Sequence, residues 1–72
     1  MTGRDWIEEF ARRLGVEPPD DKTVQTLLAL AGVAAHTSER TAAPIACYLV
    51  GRAAADPKTA QALAEKVGTA VA

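Results

Sequence analysis

The fold is decided by Asp20-Asp21-Lys22-Thr23-Val24-Gln25-Thr26-Leu27-Leu28-Ala29-Leu30-Ala31-Gly32-Val33-Ala34-Ala35-His36-Thr37. Asp20 or Asp21 is a natural N-cap, because a short carboxylate side chain accepts from the orphan N–H groups of a first turn. The helix is expected to run from Lys22 or Thr23 to His36 or Thr37. Val24, Leu27, Leu28, Leu30, Ala31, Val33, Ala34 and Ala35 cover most of the helix circumference. A helix apolar on so many sides belongs in the middle of a domain, with other helices around it.

The flanks read as those other helices. Upstream, Pro18 and Pro19 make Val16 to Asp21 a loop, since neither proline nor the residue before it continues a helix. A first helix is expected from Gly3 to Leu14. Thr2 and Asp5 form a capping-box-like pair, and Gly15 is the stop. Trp6, Ile7, Phe10 and Leu14 make one apolar stripe at helical spacing. The opposite face pairs Glu8 with Arg12 and Glu9 with Arg13, each in the favoured i,i+4 order. Downstream, Thr37 to Arg40 is a polar break. A third helix then runs from Ala42 or Pro44 to about Ala55, with Ile45, Leu49 and Val50 on its large apolar side. Ala43, Cys47, Gly51 and Ala55, spaced by four, predict a line of close helix approach. Asp56-Pro57 restarts the chain as N-cap and first helical residue. A fourth helix reaches about Val67, with Ala60, Leu63, Ala64 and Val67 inward and Gly68 as its end. No segment alternates as a strand does. The reading is one all-α domain over residues 1–72, a compact bundle of four short helices.

Composition narrows the function. Of the apolar residues, which make up 49% of the chain, 16 are alanines that bury little area each, so the core is thin for 72 residues. Close packing through the alanines and burial against another chain are the two remedies. A net charge of −1 lacks the basic excess of a domain held to nucleic acid by bulk charge. One cysteine, Cys47, excludes an internal disulfide and a cysteine-rich zinc site, and one histidine, His36, excludes a multi-histidine metal site. The longest uncharged stretch, Thr41 to Gly51, is too short for a bilayer, which takes ~20 residues. The start carries no secretory signal, and a single free thiol suits a reducing cytosol, so a cytoplasmic location is expected. Glycines are scattered, with no phosphate-cradling loop. No catalytic constellation stands out, and no cofactor or metal is expected.

The residues that invite a role cluster around the third helix. His36 ends the second helix, where a cation is favoured by the dipole. Arg40 and Arg52 flank the third and could meet a phosphate or carboxylate, or pair with Glu39 or Asp56 on the surface. Tyr48, with Pro44, Gly51 and Arg52 beside it, reads equally as a shallow binding surface and as a second packing face.

The run from Ala35 through His36, Arg40, Ala42-Ala43-Pro44 and Leu49-Val50-Gly51 resembles a small actinobacterial family of helical proteins, domain of unknown function 6457. Trp6 in the first helix and Leu14-Gly15-Val16 after it fit the same pattern, so the resemblance covers nearly the whole chain. Thr41 stands where the family often has proline. Ser38 and Glu39 replace smaller or apolar residues, and the tail lacks an aromatic that some relatives carry. The resemblance implies a module that stands alone or is appended to molybdenum cofactor guanylyltransferase-like proteins. His36, Arg40, Pro44, Tyr48 and Gly51 are the positions matching its motif. The expectation is a non-enzymatic interaction or accessory module. Its partner would be a molybdenum cofactor nucleotidyltransferase or a second copy, with no nucleic acid and no membrane. The alternative is a binder of a nucleotide or pterin phosphate, with His36, Arg40 and Arg52 as polar contacts.

Overall fold

A computed structural model describes residues 1–71, and four α-helices account for most of them. These are α1 (Gly3–Leu14), α2 (Asp21–Thr37), α3 (Ala42–Ala53) and α4 (Pro57–Val71). The all-α class and the four-helix bundle are as the sequence predicts.

Local chemistry explains each boundary. Thr2 Oγ1 accepts from the Asp5 N–H at 3.0 Å, and the Asp5 carboxylate accepts from the Thr2 N–H at 3.1 Å, completing the capping box. Gly15 ends α1 at φ 79°, a left-handed conformation that glycine adopts without a Cβ penalty. Asp20 caps α2 by accepting from the Thr23 N–H at 2.8 Å. Near the end of α2 two hydroxyls turn back onto helix carbonyls: Thr37 donates to Val33 O at 2.7 Å and Ser38 to Ala34 O at 2.6 Å. Asp56 accepts from the Thr59 N–H at 3.1 Å, with Pro57 at the first position of α4. Two ends differ from expectation. Helix α3 stops at Ala53, because Ala54 turns left-handed. Gly68 does not end α4, which runs on through it to Val71.

Ala54 sits at φ 51° with no glycine's freedom. Its N–H still closes the helix by donating to Gly51 O. Ala54→Gly is expected to raise stability by about 0.5–1 kcal/mol, because it relieves the left-handed strain at some cost in unfolded-chain entropy. Urea titration of the two proteins side by side checks the sign.

The Asp20 cap has a pH signature. The Thr23 hydroxyl first, and its N–H second, hold the Asp20 carboxyl below the usual carboxylate range. A carboxyl depressed in the folded state contributes stability that is complete above its unfolded value, near ~3.9, and lost as pH falls through the lower folded value. Asparagine keeps the accepting oxygen but cannot titrate. The melting temperature of wild type is therefore expected to fall faster than that of Asp20→Asn below about pH 4. Parallel curves would disprove the cap's role in acid sensitivity.

Helix α2 is the axis of the bundle. Both α3 and α4 lie along it, while they make little contact with each other. The fully buried large side chain is Leu30, on α2, and Ala60 of α4 is buried too. Gly68 is also buried, and a Cβ there would fall 2.9 Å from Thr37 Cγ2, so α4 packs tightly on α2 at this point. Gly51, by contrast, has nothing within 4 Å of such a Cβ. The expected line of close approach on α3 therefore fails at Gly51, which faces outward.

Helix α1 is set apart. It rests against the first half of α2 near Val24 and Leu28 through Gly3, Arg4 and Ile7, helped by an exposed ion pair between Arg4 and Asp21. Its only buried residue is Ala11. Trp6 and Phe10 stack on the outside with ring centroids 5.0 Å apart, and about half of each side chain remains exposed. Of the two pairs expected on its polar face, Glu9 with Arg13 forms and Glu8 with Arg12 does not. Glu9 holds both Arg12 (2.5 Å) and Arg13 (2.7 Å), while Glu8 pairs with Arg4 at 3.5 Å. The two arginines, Arg12 first, keep the Glu9 carboxyl below its usual range. Such exposed pairs are screened by water and salt and add little to stability.

Candidate functional site

Because α3 and α4 diverge over α2, an open groove of about 1110 Å³ lies between them. Its floor is made of Leu30 and small residues such as Ala34, Ala46 and Ala60. One wall is Ile45 and Leu49 of α3, and the other is Leu63 and Val67 of α4. All four wall residues are more than half exposed. Leu63 and Val67, expected inward, thus face the groove rather than a closed core. Glu39, at the end near the α2–α3 loop, is the charged residue of the lining. Among the described residues no buried side-chain polar atom lacks a hydrogen-bond partner, so nothing polar waits inside for a ligand.

The residues singled out from sequence lie beside this groove rather than in it. His36 is exposed in the last turn of α2. Arg40 is exposed in the loop, where its carbonyl accepts from the Ala43 N–H at 3.1 Å and so starts α3. Thr41 gives α3 no side-chain cap. Pro44 stands in that first turn, where its missing N–H leaves one fewer donor unsatisfied. Tyr48 and Arg52, one turn apart on the outer slope of α3, meet through a 3.4 Å contact in which Arg52 Nη1 donates to the phenol oxygen. Gly51 is exposed between them. Neither arginine forms an ion pair with Glu39 or Asp56 among the described residues. Cys47 is half-buried and free.

The groove itself was overlooked in the sequence, although a signal was present. Ile45/Leu49 and Leu63/Val67 are i,i+4 pairs of large apolar residues on consecutive helices whose other apolar positions are mostly alanine. Each pair reads as a core stripe until the geometry shows that the two stripes face each other across open space.

Among the described residues no helix is long and apolar enough to cross a membrane, and no three metal-ligating side chains gather. The sequence profile of the family described as domain of unknown function (DUF6457) matches the chain over residues 1–72. The chain belongs to that family. In this chain His36, Arg40, Pro44, Tyr48 and Gly51 are displayed on the helical bundle beside its open groove. No curated protein and no solved structure matches the chain.

Proposed function

We propose that this DUF6457 domain is a non-enzymatic protein-docking module of the cytoplasm, binding other chains through the α3 side of the molecule. The observation that carries the reading is surface area. The chain exposes 5529 Å², whereas a compact monomer of its 7.5 kDa is expected to expose roughly 4,200 Å². Much of the excess is apolar: Ile45, Tyr48, Leu49, Leu63 and Val67 on the α3/α4 side, and Trp6, Phe10 and Leu14 on α1. Contiguous apolar surface on a small soluble domain marks a place where another surface belongs. The radius of gyration, 12.7 Å against an expectation of roughly 11 Å, agrees.

The sequence motif suggests one such chain. On the resemblance to proteins of actinobacteria that occur with molybdenum cofactor guanylyltransferases, the partner is a nucleotidyltransferase of that pathway. It would contact the His36–Arg40 loop and the Tyr48–Arg52 slope. The nucleotidyl-transfer chemistry would reside in that partner. The test is affinity capture from the native bacterial lysate, identified by mass spectrometry, with wild type against an Arg40→Ala/Tyr48→Ala double variant. Recovery of the nucleotidyltransferase by wild type and its loss in the variant is the expected result. Equal recovery by both, or by neither, would sink the assignment.

A further inference from the structure

We infer that the groove between α3 and α4 is filled by α3 of a second copy, so that the protein is a two-fold dimer. The inference rests on the docking reading above and names one occupant for its largest surface. Three observations converge on a second copy.

The first is area. The chain exposes roughly 1,300 Å² more than a compact monomer, shared between α1 and the α3/α4 side where Ile45, Leu49, Leu63 and Val67 stand exposed, and a standard interface takes ~800 Å² from each partner.

The second is shape. A twelve-residue helix such as α3 is roughly 18 Å long and 10–12 Å across with its side chains. Half of that cylinder occupies roughly 700–1,000 Å³, which a groove of about 1110 Å³ accepts. Helix α3 is itself the ridge bordering the groove, and its crest carries Ile45 and Leu49. When α3 of one copy lies in the groove of the other, the reverse contact forms by symmetry. Leu49 of each copy then faces Leu63 of the other. That is a closed, self-complementary arrangement, the commonest among soluble oligomers.

The third is chemistry and supply. The lining has a single charged residue, Glu39, and the chain has a net charge of only −1, so bringing two copies together meets little repulsion. With Leu30 as its fully buried large side chain, the chain depends on further burial to be stable. A second copy is present whenever the chain is made. Helix α1 and the side chains of His36 and Arg40 line no part of the groove and stay free for the enzyme partner.

The experiment uses the full chain in sedimentation velocity at tens of micromolar, with circular dichroism to follow helix content. Wild type is expected to sediment at twice 7.5 kDa. Leu49→Glu and Leu63→Lys each bury an unpaired charge in the homodimer and should weaken self-association more than about a hundredfold. Because residue 49 of one copy meets residue 63 of the other, an equimolar mixture pairs Glu with Lys at one contact and Leu with Leu at its mate. The mixture is expected to regain the doubled mass. If either variant alone fails to fold, recovery of helix content on mixing reads the same event. A monomeric, fully helical wild type overturns the inference, as does a dimer broken by Trp6→Glu but not by Leu49→Glu, or a mixture that stays apart. A monomer that still captures the nucleotidyltransferase would remove the second copy and leave the docking reading standing.

Discussion

Leu30→Ala is expected to bring the chain to the edge of unfolding at room temperature. Leu30 is 1% exposed and sits where α2 meets the floor of the groove. Removing a buried leucine's side chain costs about 2–5 kcal/mol, through lost transfer energy and the cavity left behind. A 72-residue domain has roughly 4–11 kcal/mol in all, at 0.05–0.15 kcal/mol per residue. Here the total belongs near the lower end, because among the described residues no other large side chain is fully buried. The control is Leu28→Ala on the same helix. Leu28 is 61% exposed, so its loss should cost less than about 1 kcal/mol. Urea unfolding followed by circular dichroism compares the two, at one fixed protein concentration because self-association stabilises the folded state by mass action. Equal midpoints would mean that Leu30 is not the centre of the core.

The contrast between those two leucines shows which parts of the structure the sequence makes legible. The helices are legible because their ends are local events. Thr2 with Asp5, Gly15, Asp20 and Asp56-Pro57 each solve a hydrogen-bonding problem within a few residues, whatever the rest of the chain does. The central place of α2 is legible too, since an all-round apolar helix needs neighbours on several sides. Which neighbour covers which side is not a local property. Leu28 and Leu30 are both apolar residues of one helix, yet Leu28 stays 61% exposed while Leu30 is fully buried beneath the groove that α3 and α4 border. The stripe on α1 has ideal spacing, but it packs through Ala11 and Ile7 and leaves Trp6 and Phe10 outside. Periodicity reports that a face is apolar, and cannot say whether the fold or a partner supplies the cover. For the same reason the groove walls looked like core. His36 and Arg40 are legible as surface chemistry, whereas Tyr48 reads equally as surface or packing face and Gly51 as a helix contact, and the structure exposes all four. What they contact depends on a surface outside the chain.

Two of the glycines inside helices, Gly51 and Gly68, should respond in opposite directions to the same change. In a helix interior, glycine is about 1 kcal/mol less favourable than alanine because the unfolded chain loses more freedom. Gly51→Ala should recover about that much, since the new Cβ has nothing within 4 Å. At Gly68 the gain is opposed. The Cβ would lie 2.9 Å from Thr37 Cγ2, 3.2 Å from Oγ1 and 3.3 Å from Cβ. Thr37 cannot swing aside freely, because its hydroxyl donates to Val33 O. Overpacking of this kind costs about 1–3 kcal/mol, which exceeds the propensity gain for most of that range. Gly68→Ala is therefore expected to destabilise by about 1 kcal/mol, leaving the two variants about 2 kcal/mol apart. A double-mutant cycle identifies the cause. Thr37→Ser removes the Cγ2 methyl and keeps the hydroxyl, so it should cost something in wild type and restore stability in the Gly68→Ala background. A clash between α4 and α2 requires that change of sign. If Gly68→Ala stabilises as much as Gly51→Ala, then α4 does not approach α2 closely there. The wall of the groove that α4 provides would then be movable, and the geometry that admits a second copy would have to be set by α3 alone.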